Sequence, residues 1–177
     1  MVQNENEMEK RSKRMIKLFK MAAESGMKFG DFSGPVPAFS RWLNGKLISV
    51  KRGEIVIEFE VRPEMANPTG LLHGGMQCAM MDDSIGVMSV TLGYEGFLIS
   101  VDFHVDYLGK VKVGEKVRVK GKMIREGKNI VHAIAEIYNI DNHLIATGNS
   151  NLLKTTFKPD IVKAVDNEII DEKSDFV

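Results

Sequence analysis

The chain of 177 residues (19.8 kDa) is 44% hydrophobic, 27% charged and only 7% aromatic, enough for one domain with short appendages to bury roughly two thirds of its unfolded surface. Lys+Arg and Asp+Glu both total 24, so no positive surplus marks nucleic acid as the main partner, and the single Cys78 excludes a disulfide framework or a multi-cysteine zinc site. No apolar run reaches the ~20 residues of a membrane span, and Lys17 and Lys20 interrupt residues 15–21 so that they do not read as a secretory segment; a cytoplasmic protein is expected.

Residues 1–29 read as an amphipathic helix rich in basic groups, including Lys10, Arg11, Lys13, Arg14, Lys17 and Lys20. Met15, Leu18, Phe19 and Ala22 recur at i, i+3, i+4 and i+7, and Gly26 stops the pattern. Such a helix is expected to pack on the domain or on a partner subunit. Residues 30–157 form the main domain, opening with a loop at Gly34, Pro35 and Pro37. Ile55, Ile57, Phe59 and Val61 alternate with Glu54, Val56, Glu58 and Glu60, a half-buried strand. Residues 47–50 are its hairpin partner across Lys51-Arg52-Gly53. After a turn-rich stretch with Pro63, Asn67, Pro68 and Gly70, apolar residues from Met76 to Leu92 point round the whole helical circumference, the mark of a buried helix. Gly93 ends it.

Ile99, Val101, Phe103, Val105 and Tyr107 then alternate with polar residues as one strand, followed by strands over 111–124, 128–140 and 144–155. The last four read as a meander. The fold class is therefore α+β, an antiparallel sheet of five to six strands wrapped around one long central helix, with the N-terminal helix added. Residues 158–177, with Asp160, Asp166, Glu168, Asp171, Glu172 and Asp175, read as a loosely ordered acidic tail.

The central helix carries the chemistry. Asp82 and Asp83 lie within its apolar circumference, where a carboxylate must be paired or functional. Cys78, Asp82, Gly86 and Ser89 share one stripe of mostly small residues, which allows a ligand or another backbone to come close. His73-Gly74-Gly75 opens the helix, and its bare N–H groups together with the helix dipole can bind an anion or polarise a carbonyl. His104, His132 and His143 have no metal-ligand spacing, so no metal is expected, and Cys78 reads as a packing residue.

The run Asn67-Pro68-Thr69-Gly70-Leu71-Leu72-His73-Gly74-Gly75, with Asp82 nine positions after the histidine, resembles the hot-dog acyl-CoA thioesterases. It is most similar to the phenylacetyl-CoA-thioesterase type of the hydroxybenzoyl-CoA thioesterase superfamily. Residues 99–103, Tyr107-Leu108 and Gly114-Glu115 fit the same pattern, and the resemblance spans roughly residues 40–155. It implies a hot-dog fold and hydrolysis of an acyl-CoA to acid and CoA, with no cofactor beyond water. Asp82 would be general base or nucleophile, and Gly74 would donate its N–H to the thioester carbonyl. Asn67 would position water or carbonyl, His73 would orient, and Ser100 would assist the carboxylate. Gly75 and Asp83 are expected to contact substrate. The CoA phosphates would meet basic residues such as Lys110, Lys112 or Arg125.

Eight residues of helix put Asp82 about 12 Å along the axis from Gly74, whereas a general base must come within about 3 Å of its proton. A homodimer is expected, with antiparallel central helices bringing Gly74 of one chain to Asp82 of the other, alone or as a dimer of dimers (a homotetramer). Two rival readings stand beside it: a non-catalytic acyl-CoA-binding module, marked by loss of the carboxylate or glycine, and a hot-dog hydratase or dehydratase, in which His73 would have to be the base.

Overall fold

The structure, a computed structural model, describes residues 5–32 and 34–174, with side chains described through residue 167. Helix α1 (Glu5–Ser25) leads to a short helix α2 (Ala38–Leu43) and the hairpin β1 (Lys46–Lys51) and β2 (Glu54–Glu60). The long helix α3 (Gly74–Val90) follows, then β3 (Leu98–Ser100), β4 (His104–Tyr107), β5 (Lys116–Glu126), β6 (Ile130–Asn139), β7 (Leu144–Lys154) and helix α4 (Asp160–Ser174). All strand pairs are antiparallel, in the order β1-β2-β5-β6-β7-β3, with β4 also on β7.

The alternation over 54–61 is realised: Ile55, Ile57, Phe59 and Val61 are buried. Together with Val117, Val119, Val131, Ala135 and Ile137 they cover one side of α3 through Met80, Met81, Ile85 and Met88, all fully buried. Each such side chain contributes roughly 1.5–3 kcal/mol relative to exposure. The other side of α3 departs from the expected all-round burial, because a single sheet wraps only one side. Asp82 is exposed, and Cys78 and Gly86 are half-buried. Ser89 leaves the predicted stripe and turns inward, its hydroxyl donating to the Gly86 carbonyl at 2.7 Å.

The strand expected over 99–107 is broken. Residues 101–103 oppose only 150–151 of β7, a one-residue bulge between the registers of β3 and β4. The bulge is held by Asp102, whose carboxylate accepts from the backbone and side-chain amides of Asn151, both at 2.8 Å. A one-residue slip sends side chains to the opposite face, which is why Ile99 and Val101 before it are exposed while Val105 beyond it packs against the core; Tyr107, the last residue of β4, is exposed as well. The break makes seven strands of the expected six. Of the expected four-strand meander, β5-β6-β7 forms as read, but the strand before it does not join β5: β5 pairs with β2, and β3 and β4 pair with β7.

Asp160–Ser174 form a helix rather than a loosely ordered tail. Val162 and Val165 are buried against Met15 of α1, and Arg11 Nε donates to Asp166 at 2.7 Å. The acidic side chains of Glu168, Asp171 and Glu172, and all of Asp175, lie outside the described residues. Within α1, Met15 and Ala22 are buried as expected, but Leu18 is exposed, and the inward face runs instead through Arg11 and Ser12. Among the described residues no helix is long and apolar enough to cross a membrane.

Candidate active site

The loop before α3 is built on Asn67. Its Oδ1 accepts from the Thr69 N–H (2.9 Å), the Thr69 hydroxyl (2.7 Å) and the Leu71 N–H (3.2 Å). This turn chemistry commits the amide oxygen to the loop and leaves Nδ2 as the group able to face a substrate. The loop is then anchored twice: the Leu72 N–H donates to Val111 O at 2.8 Å and the His73 N–H to Met65 O at 2.9 Å.

His73 caps α3 with extended backbone angles. Its Nδ1 accepts from the Gly75 N–H at 2.9 Å, so the neutral ring carries its proton on Nε2. The Met76 and Gln77 N–H groups donate to His73 O at 2.9 and 3.1 Å. Of the first-turn donors, Gly74 N–H alone has no acceptor among the described residues. A helix leaves its first N–H groups without intrahelical partners and adds partial positive charge there. The glycine sits close under its neighbour: a Cβ at position 74 would stand 3.2 Å from Tyr107 Cε1 and Cζ, so the ring would have to shift by a few tenths of an ångström.

Two turns on, Asp82 faces solvent, and Ser100 Oγ of β3 donates to its Oδ1 at 2.9 Å. Adjacent Asp83 lies about 100° round the helix and has a different fate. Its Oδ1 accepts from Ser40 Oγ of α2 at 2.5 Å, while its buried Oδ2 has no hydrogen-bond partner. Burial pushes its carboxyl up to about 6, against the lowering by Ser40, and the charge of Asp82 adds to the rise. Gly86, one turn beyond Asp82, leaves open space where a Cβ would stand. The exposed stripe is therefore Gly75, Cys78, Asp82 and Gly86.

The structure thus joins the sequence-predicted residues into two groups. Asn67, His73, Gly74 and Gly75 gather at the helix N-terminus; Asp82 and Ser100 pair about 12 Å further along. Asp83, expected at the substrate, is turned to Ser40 inside the chain. Sequence reasoning gave no role to Ser40 or to Tyr107. An unbroken alternation makes Tyr107 one more core residue; in the structure it ends β4 and is exposed, beyond Val105, which does pack against the core.

Residues 69–146 match the family model of the thioesterase superfamily. Acyl-coenzyme A thioesterase 13 of Mus musculus is 29% identical over 117 residues, covering 64% of this chain and 82% of that protein. The PaaI protein of the Escherichia coli phenylacetic acid degradation operon superposes with a TM-score of 0.67 and 16% identity, over 81% of this chain and 98% of its own. A hypothetical thioesterase of Streptococcus pneumoniae TIGR4 with coenzyme A does so with a TM-score of 0.61 and 18% identity, over 65% and 91%. At these identities the two structures establish the fold. The family match leaves α1 and α4 outside it.

Proposed function

We propose that the protein, whose residues 69–146 match the thioesterase superfamily model, hydrolyses an acyl-CoA thioester at a site shared between two copies of the chain. The observation that carries this reading is the pairing of an exposed Asp82 with Ser100, on the side of α3 that its own sheet leaves uncovered. An uncovered stripe of small residues accepts a second α3, and an antiparallel arrangement brings Gly74 of one subunit to Asp82 of the partner subunit.

In this site the thioester oxygen accepts from the Gly74 N–H, helped by the helix dipole. Asp82 of the partner subunit, oriented by Ser100, takes a proton from water as its oxygen bonds to the carbonyl carbon. Collapse of the tetrahedral intermediate breaks the C–S bond, and the departing CoA thiolate receives that proton. The products are a carboxylic acid and CoA, and water is the only co-reactant. Direct attack by Asp82 would form an anhydride instead and is the alternative route. His73, with Nδ1 engaged by Gly75 and the proton on Nε2, has no free nitrogen lone pair to act as the base of a dehydratase.

Of the basic residues considered, Lys112 pairs with Leu71, two residues before His73, and Lys110 lies on the same exposed connection; these two are near the helix N-terminus of their own chain and are the first candidates to meet the CoA phosphates.

Thiol release from short, medium, long and aryl acyl-CoAs tests the reading. Wild type turns over at least one, and Asp82→Asn lowers kcat by at least about 10³-fold, as loss of a general base does. Turnover surviving in Asp82→Asn removes Asp82 from the mechanism. Binding of acyl-CoA without any turnover favours the non-catalytic module. Mixed with inactive Gly74→Pro chains, inactive Asp82→Asn chains recover activity if the site is shared; no recovery rules out the shared site.

A further inference from the structure

A single backbone N–H satisfies one lone pair of a carbonyl oxygen, whereas the oxyanion of a tetrahedral intermediate gains charge and takes a second donor with profit to the transition state. Tyr107 is placed to be that donor. It is the last residue of β4, paired with Ala146 of β7. The chain immediately after it is pinned, because the Leu108 and Gly109 N–H groups both donate to Ile145 O at 2.9 Å.

The phenol end of the ring is brought against the start of α3. From the position a Cβ would take on Gly74, Cε1 and Cζ are 3.2 Å away and Oη is 3.4 Å away. These distances set the face of the ring at its hydroxyl end, not its apolar middle, over the one residue whose N–H the helix leaves open. Tyr107 remains 54% exposed, and its hydroxyl has no hydrogen-bond partner among the described residues. A ring serving only to pack would bury its faces, and a buried phenol would find a protein partner. Asn67 offers a competing donor, but its amide plane is fixed by three bonds to its own loop.

We infer that the Tyr107 phenol O–H is a catalytic residue, the second hydrogen-bond donor to the thioester oxygen beside the Gly74 N–H. This rests on the hydrolase reading above.

The test is steady-state thiol release by wild type, Tyr107→Phe and Asp82→Asn on whichever acyl-CoA wild type hydrolyses best. Tyr107→Phe keeps the ring and removes only the hydroxyl. It is expected to lower kcat at least about tenfold, with KM within about twofold and an unchanged thermal midpoint. Wild-type kcat in Tyr107→Phe, with Asp82→Asn inactive, overturns this inference and leaves the hydrolase reading standing. A rise in KM with kcat intact also overturns it, because the hydroxyl would then bind the ground state equally. No thiol release by wild type from any acyl-CoA overturns both.

Discussion

The two ends of the central helix face the same problem and solve it oppositely. Every helix leaves orphan N–H groups at its start and orphan carbonyls at its end. At the C-terminal end of α3 the turn that follows takes those carbonyls up, the Thr91, Leu92 and Gly93 N–H groups donating to Met88 O, Ser89 O and Val90 O at 3.0, 3.1 and 3.2 Å, and α1 seals that turn in its place: Ser12 Oγ donates to Thr91 O at 2.6 Å, and Arg11 Nη1 to Gly93 O at 2.9 Å. The contact is so close that a Cβ on Gly93, at φ +81, would stand 2.2 Å from Met8 O. At the N-terminal end, His73 satisfies every first-turn donor except Gly74. One end is sealed by a helix outside the family match, and the other keeps a polar group open. The sealed end holds the fold together, and the open end is where a ligand oxygen can enter.

Substitutions at each end should separate these roles. The largest effect is expected from Gly74→Pro. Position 74 is the first helical residue and His73 has the extended angles (φ −62, ψ 138) that precede proline readily, so the helix persists while the open N–H is lost and the new Cβ crowds Tyr107; Gly74→Ala, which adds the Cβ and keeps the N–H, separates the two. Thiol release should fall roughly 10²–10³-fold with the thermal midpoint little changed; retained activity would show that this N–H is idle.

Arg11→Ala attacks the sealed end. It strips Gly93 O and removes one of two cations from Asp166, whose other partner is Lys158. Burial pushes the Asp166 carboxyl up, but hydrogen bonds from Arg11 and Lys158 outweigh it and hold it below the usual range. A loss of about 2 kcal/mol is expected in denaturant melts, with kcat within about twofold of wild type. A large fall in kcat without loss of stability would mean that α1 reaches the chemistry.

The smallest effect concerns the neighbour of Asp82 and is read against pH. Asp83, raised from 3.8 to about 6 by burial, binds its proton more tightly folded than unfolded. The stability it contributes is fully present below pH 3.8 and is lost as pH rises through about 6. The thermal midpoint of wild type should therefore gain on that of Asp83→Asn as pH falls from 7 to 4. A gap that stays constant across that window would mean the carboxyl titrates normally.

The sequence by itself determined what periodicity and short-range chemistry determine. The β2 alternation, the apolar length of α3, the cap at His73 and the placement of Asp82 one helix away from Gly74 all follow from residues near one another in the chain. The thioesterase motif was legible for the same reason, as a contiguous run from Asn67 to Asp82.

Tertiary structure decided the rest, because the deciding contacts are far apart in sequence. Asp82 and Asp83 look alike in an apolar helix; only α2 folding over the helix gives Asp83 to Ser40 and leaves Asp82 to Ser100. The strand over 99–107 reads as continuous until Asp102 finds Asn151, 49 positions on, and shifts the register. That shift turns Ile99 and Val101 outward while Val105 stays on the core. The stretch after Pro159 looks too acidic to order itself, and its first turns are fixed only where Arg11, 155 positions away, meets Asp166 and Met15 receives Val162 and Val165. Local pattern sets which face of an element is apolar; which charged group is buried, paired or left open is set by what long-range packing brings against it.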